Sequence, residues 1–373
     1  MKPTKKRIKE TAIDLFFTQR YEKVSIAALC RAVGIANSVY YYYFENKEQL
    51  YKEILNDLFN ELDDAFGKIE GDQISARMES MLDIHFTVME EFRKEMSIYR
   101  EGEFIYPEFD YALKAIYHSS LEIVLGRSVS TAEYHFFIGG IQFLSRRFAD
   151  PWTPFRRQEL LSFLSRGLLS GVEPSVDSEG PEHGIGYSGQ ERPARKETAR
   201  EKMILAGMVL IGRKGYDAAQ IFQISAAGGY SVGMFYKLFH NKQNFLSVIL
   251  DQLGEDLRQQ MTPLKARTPG EGLVHKIAAY IAFFREREPL YQLIKEADFI
   301  SPSHVQKLFD LWEILFFPVA PEFFRVDSRM SANFLMGLAH HLSREVLHSE
   351  IPVDLVQILK ELKVLFSEGL KIS

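Results

Sequence analysis

The sequence predicts an all-α protein of two tandem units, each a helix-turn-helix head followed by a helical-bundle domain. Three observations lead there. Apolar residues recur at helical spacing, no stretch alternates as a half-buried strand would, and the chain repeats itself. Ile8, Ala12, Leu15 and Phe16 form one apolar stripe, and Leu50, Ile54, Leu58 and Leu62 form another. Segments 131–148, 157–170, 329–348 and 353–370 read as long helices, with Pro151, Pro154 and Pro352 in the breaks.

Sliding the chain on itself by 195 positions superposes Tyr21 on Tyr216, Ile26 on Ile221, Gly34 on Gly229, Tyr41 on Tyr236, Phe44 on Phe239, and Asn46-Lys47 on Asn241-Lys242. At the same offset Glu103-Phe104-Ile105 and Pro107 fall on Asp298-Phe299-Ile300 and Pro302. Near the end of each half the offset drifts, and Gly139 and Leu144-Ser145-Arg146 meet Gly337 and Leu342-Ser343-Arg344. The duplication therefore covers whole domains, as a length of 373 residues allows. The expected organisation is a first head at 1–62 and its bundle at 63–171, a Gly/Pro/Ser/Glu-rich linker at 172–195, a second head at 196–257 and its bundle at 258–373.

The elements of the first head follow from local chemistry. After the first helix, Arg20-Tyr21-Glu22 breaks the pattern, and the Ser25 hydroxyl is placed to cap a helix containing Ile26, Leu29, Cys30 and Val33. Gly34 ends that helix, because glycine tolerates the left-handed backbone of a tight turn. A helical wheel of Asn37 to Phe44 puts Tyr40 and Phe44 inward, Tyr43 at the edge, and Ser38, Tyr41 and Tyr42 outward. A core explains Tyr40, Tyr43 and Phe44, but it leaves Tyr41 and Tyr42 in water, where their hydroxyls can serve phosphate. Asn46 then caps the next helix with Gln49 completing a capping-box pattern, and Lys47 brings a cation to that helix start.

Charge supports a nucleic-acid partner locally rather than globally. The formal net charge is -5, yet Lys and Arg outnumber Asp and Glu between residues 2 and 52 and again between 191 and 242. Solvated helix faces would give the same local excess. Cys30 is the only cysteine, so an intramolecular disulfide is impossible. No apolar run approaches the roughly 18 residues that span a bilayer, so a cytoplasmic chain with no membrane partner is expected.

The stretch LFFTQRYEKVSIAALCRAVGIANSVYYYYFENKEQL resembles the amino-terminal signature of the tetracycline-repressor (TetR) family, with Gly34, Tyr41, Phe44 and Lys47 in register. The resemblance covers about the first 60 residues. It implies a transcriptional regulator that binds a double-stranded DNA operator. Asn37, Ser38 and Val39 would then face bases, and Tyr41, Tyr42, Tyr43 and Lys47 would face phosphates or groove edges. Ala36 departs from the family, which often has a Ser or Thr cap there. The second copy, GYDAAQIFQISAAGGYSVGMFYKLFHNKQNF, resembles the same signature. Ser231 is its recognition-helix cap, Val232, Gly233 and Met234 stand where the first copy has Asn37, Ser38 and Val39, and Tyr236, Lys237 and Lys242 point outward. Gln220 is a poorer cap than Ser25, and Phe222 replaces Ala27, as core repacking or as an obstacle to DNA.

The resemblance further implies an apolar effector cavity in each regulatory domain. The candidates are Phe86, Tyr99, Phe104, Tyr117 and Phe137 in the first copy and Tyr291, Phe299 and Trp312 in the second, although for any one of them ordinary core packing is the better explanation. A small apolar or amphipathic effector that releases a repressor from DNA is the implied mode of action. Family members pair through their last two helices, so the copies are expected to pair as an internal pseudo-dimer or as a homodimer of whole chains.

His340, His341 and His348 lack the companions of a metal set, since adjacent histidines on a helix point about 100° apart. Neither a cofactor motif nor a nucleophile, base and acid constellation is evident, so no enzymatic activity is expected. The rival reading is a ligand-binding or protein-interaction scaffold with vestigial heads, which does not account for the basic excess in both heads.

Overall fold

The computed structural model describes residues 3–102, 106–147, 153–170, 198–262, 264, 266–287, 289–317, 324, 328–349 and 352–371. The linker expected at 172–195 and the candidate Phe104 lie outside them. The fold is all-α. Among the described residues there is no extended sheet, only an isolated bridge between Leu169 and Phe324.

The chain divides into two compact units between Val129 and Ser130. In the first, α1 (Pro3–Gln19), a 3-10 turn (Tyr21–Lys23), α2 (Ile26–Val33), α3 (Asn37–Tyr43) and α4 (Lys47–Phe66) precede α5 (Ile74–Glu91), α6 (Arg93–Gly102) and α7 (Pro107–Leu125). The predicted stripes are the core of this unit: Ile8, Ala12 and Phe16 of α1 and Leu50, Ile54, Leu58 and Leu62 of α4 are all buried. Helix α4 runs without a break through residue 62, so head and bundle share it.

The second unit opens with α8 (Thr131–Arg147) and α9 (Pro154–Arg166). Its head contains α10 (Ala199–Lys214), α11 (Ile221–Ala227), α12 (Val232–Leu238) and α13 (Lys242–Met261). The helices α14 (Pro269–Arg285), α15 (Pro289–Ile300), α16 (Pro302–Phe316), α17 (Ser328–His348) and α18 (Leu355–Glu368) complete it. Helix α13 likewise continues past residue 257. Pro154, read from sequence as part of a break, occupies the first turn of α9, where a missing N–H costs nothing.

Helices α8 and α9 pack on α17 and α18. The matched glycines Gly139 and Gly337 lie against one another. A Cβ on Gly139 would come within 2.8 Å of Leu338 Cα, and one on Gly337 within 2.5 Å of the Gly139 carbonyl oxygen. Phe334 lies against the adjacent Gly140, its ring 5.4 Å from Phe136 and 4.7 Å from Phe163. At the other end, Leu169 N donates to Phe366 O and Leu370 N to Leu164 O, both at 2.8 Å. Each of these loops carries a Ser-x-Gly-Leu stretch, at 165–168 and at 367–370.

Candidate nucleic-acid interface

Helix α2 begins as its sequence requires, with Ser25 Oγ accepting from Ala28 N at 3.1 Å. It ends at Gly34, whose φ of 76° is left-handed. Gly229 repeats the conformation at φ 81°. Leu29, Cys30 and Val33 face the core, and burial pushes the Cys30 thiol pKa up.

Helix α3 shows the inward and outward faces that its periodicity predicts. Tyr40 and Phe44 are buried, and the Tyr40 hydroxyl donates to Asn46 O at 2.9 Å. Asn37, Ser38 and Val39 are exposed, Tyr43 is half-buried, and Tyr41 and Tyr42 are 56% and 69% exposed. Ala36 makes no side-chain cap. Asn46 caps α4 by accepting from Gln49 N at 2.8 Å, but the Gln49 side chain accepts from Glu45 N instead of closing a reciprocal box with Asn46.

Much of the basic excess in the first head is used inside the protein. Lys5 pairs with Glu53 at 2.8 Å, the buried Lys9 with Glu53 and Asp57, and Arg7 donates to Val33 O at 2.6 Å. The Lys47 ammonium donates to Tyr21 O at 2.8 Å and Val24 O at 3.0 Å and sits 4.1 Å from the Tyr21 ring centroid. Burial lowers its pKa, with the Glu22 and Glu101 charges opposing that shift. Sequence reasoning placed this cation at phosphate. Geometry gives the side chain an internal role, since two carbonyls and a ring face already hold it.

The same turn is held from its other side. Glu101 of α6 accepts from Tyr21 N and lies 3.4 Å from Arg20 Nε, and desolvation raises its pKa. Arg20 stands at φ 71°, ψ 149°, and the matching Gly215 takes φ 85°, ψ 158°. The same clamp recurs in the second unit: Lys242 Nζ donates to Tyr216 O and lies 4.5 Å from that ring, while Glu296 accepts from Tyr216 N at 2.6 Å. Sequence reasoning missed Glu101 and Glu296, although they too match at the 195-residue offset.

On α12, Ser231 Oγ accepts from Met234 N at 3.3 Å. Val232, Gly233, Tyr236 and Lys237 are exposed, Met234 and Lys242 half-buried, and Phe235 and Phe239 buried. Phe222 at the start of α11 is 61% exposed, so it is no core residue. Gln220 makes no side-chain cap of its own, but its N–H donates to Gln223 Oε1 at 3.3 Å.

The candidate effector residues are engaged in packing. Phe86, Tyr99, Tyr117, Phe137, Tyr291 and Trp312 are buried and Phe299 is half-buried. Tyr117 Oη lies 2.8 Å from His85 Nδ1, and Tyr99 Oη donates to Asp110 at 2.9 Å. In the second unit His340 bridges the hydroxyls of Tyr280 and Tyr291, at 3.1 and 3.0 Å. His341 Nδ1 meets His135 Nδ1 at 3.0 Å, so both adjacent histidines serve helix packing. Among the described residues no group of His, Cys, Asp or Glu is arranged to hold a metal, and no helix is long and apolar enough to cross a membrane.

Residues 8–54 match the family model described as bacterial regulatory proteins, tetR family. The first head carries the amino-terminal domain of the tetR family. This tetR-type head is a helix-turn-helix DNA-binding domain, and α2 and α3 lie within the matched residues. No curated protein matches the chain. Similar solved structures include the fatty acid degradation regulator FadR from Bacillus halodurans, at 20% identity and TM-score 0.41 over 48% of this chain and 98% of that one. A transcriptional regulator from Rhodococcus sp. Rha1 is 16% identical, with TM-score 0.39 over 45% of this chain and 96% of that one. FadR from Bacillus subtilis in complex with stearoyl-CoA is also 16% identical, with TM-score 0.39 over 45% and 98%.

Proposed function

We propose that this chain is a cytoplasmic transcriptional repressor that fuses two tetR-type units in tandem, reads a double-stranded DNA operator with two unlike heads, and is released by a small apolar or amphipathic effector. The observation that carries this reading is the face of α3: Tyr40 and Phe44 are fixed in the core, while Asn37, Ser38, Val39, Tyr41 and Tyr42 stand in solvent. A core helix has no use for that exposed row, whereas a major groove does. In this reading Asn37, Ser38 and Val39 meet base edges, and the Tyr41, Tyr42 and Tyr43 hydroxyls meet phosphates. Val232, Gly233 and Met234 read the second half-site, with Tyr236 and Lys237 on its backbone. The helix starts at Lys47 and Lys242 offer backbone N–H groups to phosphate while their ammonium groups brace the turn.

The packing of α8 on α17 and of α9 on α18 supports pairing of the two copies within one chain. A tether raises the effective concentration of one copy around the other, which favours that arrangement over association of two chains. Effector release requires a ligand that binds one arrangement of the heads more tightly than another.

A gel-shift selection against genomic fragments at low and moderate salt tests the function. The proposal expects a specific complex that survives moderate salt. Retardation that vanishes with salt for every fragment alike would sink it.

A further inference from the structure

Arg147, in the last turn of α8, joins residues of the two sequence copies through its guanidinium. Its side chain is 4% exposed, and Nη2 donates to Asp310 at 2.6 Å and to Glu313 at 2.9 Å, both on α16. Nε donates to Asn333 Oδ1 on α17 at 3.1 Å. The Glu313 side chain is 7% exposed, and its second oxygen accepts from Arg329 Nε at 3.0 Å. Asn333 is buried and turns its amide N–H to Arg329 O at 2.9 Å. Charges taken out of water in this way stay only where partners of opposite sign meet them.

The internal repeat makes this cluster informative, because its members have no like-charged counterparts. At the offset that matches Arg146 with Arg344, Arg147 falls on Glu345 and Asn333 on His135. At the offset of 195, Asp310 and Glu313 fall on Ala115 and His118. Two second copies paired in this geometry would therefore bring the Glu345 carboxylate onto Asp310 and Glu313. The added carboxylate would stand against the buried Glu313 with the half-exposed Asp310 beside it, so the three repel one another or take up a proton. Two first copies would place Arg147 against Ala115 and His118, with no carboxylate at either matched position. Gly139 and Gly337, being alike, impose no such choice.

We infer that the Arg147 cluster is a charge code which makes the first copy pair with the second and rejects pairing of like copies. The inference rests on the proposed pairing of copies and adds what selects the partner. Specificity of this kind comes from the penalty on the wrong pairs as much as from the strength of the right one. It suits a chain with two different recognition helices, because it keeps unlike heads together on one operator.

The test uses the full chain, with light scattering over a range of concentrations and thermal melting. Wild type is expected at the mass of one chain, 43.0 kDa. Arg147→Glu should lower Tm by about 5 °C or more and produce multi-chain species. Adding Glu313→Arg to it should restore the one-chain mass and part of the melting temperature, since Asp310 and Arg329 then meet like charges, a rescue that a purely steric role for Arg147 would not give. If Arg147→Glu does not fold, Arg147→Met takes its place, with the expected result a folded chain that forms multi-chain species as concentration rises. A single variant that keeps the wild-type mass and Tm, or a double variant no better than the single, overturns the charge code. A wild-type mass of two chains overturns the internal pairing instead, and leaves the code to be judged by the rescue.

Discussion

The carboxylate of Glu101 accepts the backbone N–H of Tyr21 at 3.0 Å, which ties the bundle helix α6 to the turn that opens the helix-turn-helix. Lys47 holds the carbonyl of the same residue from α4, so both backbone polar groups of Tyr21 are gripped. Tyr216, between Lys242 and Glu296, is held in the same way. Glu101→Ala leaves a part-buried N–H without its charged acceptor, and a loss of about 1–3 kcal/mol is expected in urea unfolding. Glu296→Ala should behave alike in the second head. Losses below about 0.5 kcal/mol in both variants would show that the clamp does not stabilise the turn.

Lys47 and Lys237 should separate structure from DNA affinity. Lys47→Ala removes an ammonium that serves two carbonyls, so it should cost about 2 kcal/mol of stability and change the salt slope of operator binding by less than one. Lys237 is exposed, and Lys237→Ala should leave Tm unchanged while reducing that slope by about 0.9. The reverse pattern would return the phosphate role to the Lys47 side chain.

The tyrosine run divides in the same manner. Tyr41→Phe should weaken operator binding by about 0.5–3 kcal/mol with no change in melting temperature, since its hydroxyl faces solvent. Tyr40→Phe breaks the bond to Asn46 O and should lower stability. Equal effects of the two changes on both measurements would contradict the assigned faces.

A half-buried lysine gives a pH signature. Desolvation pushes the Lys276 pKa from 10.5 down to about 8, and its ammonium donates to Phe317 O at 2.7 Å. Between those values the unfolded chain binds more protons at this site than the folded one, so stability from this group rises with pH from about 8 to 10.5. The contribution is about 3 kcal/mol at most. Subtracting the pH profile of Lys276→Met from that of wild type should reveal a rise across this window. A flat difference would mean that the lysine titrates normally.

The parts of the site legible in sequence are those set by local rules. Gly34 at a left-handed turn, Ser25 and Asn46 as caps, Cys30 in the core and the two faces of α3 follow from spacing alone. Lys47 and Tyr21 are 26 residues apart, and helical spacing gives the face of a side chain without naming the carbonyl that waits across the fold. Arg147 is a cation in a last turn, a position where the helix dipole alone favours one. Only the packing of α8 beside α16 and α17 makes it a buried partner of Glu313. The paired ends at 165–168 and 367–370 were available as a repeated Ser-x-Gly-Leu, but the drift in offset hid the match.

Native mass spectrometry of the protein on its footprinted operator tests the central claim most directly. Asn37-Ser38-Val39 and Val232-Gly233-Met234 present different side chains, so one chain should occupy one operator and protect two unlike half-sites about one helical turn apart. Two chains on a perfect palindrome, or no complex that outlasts non-specific competitor, would contradict it.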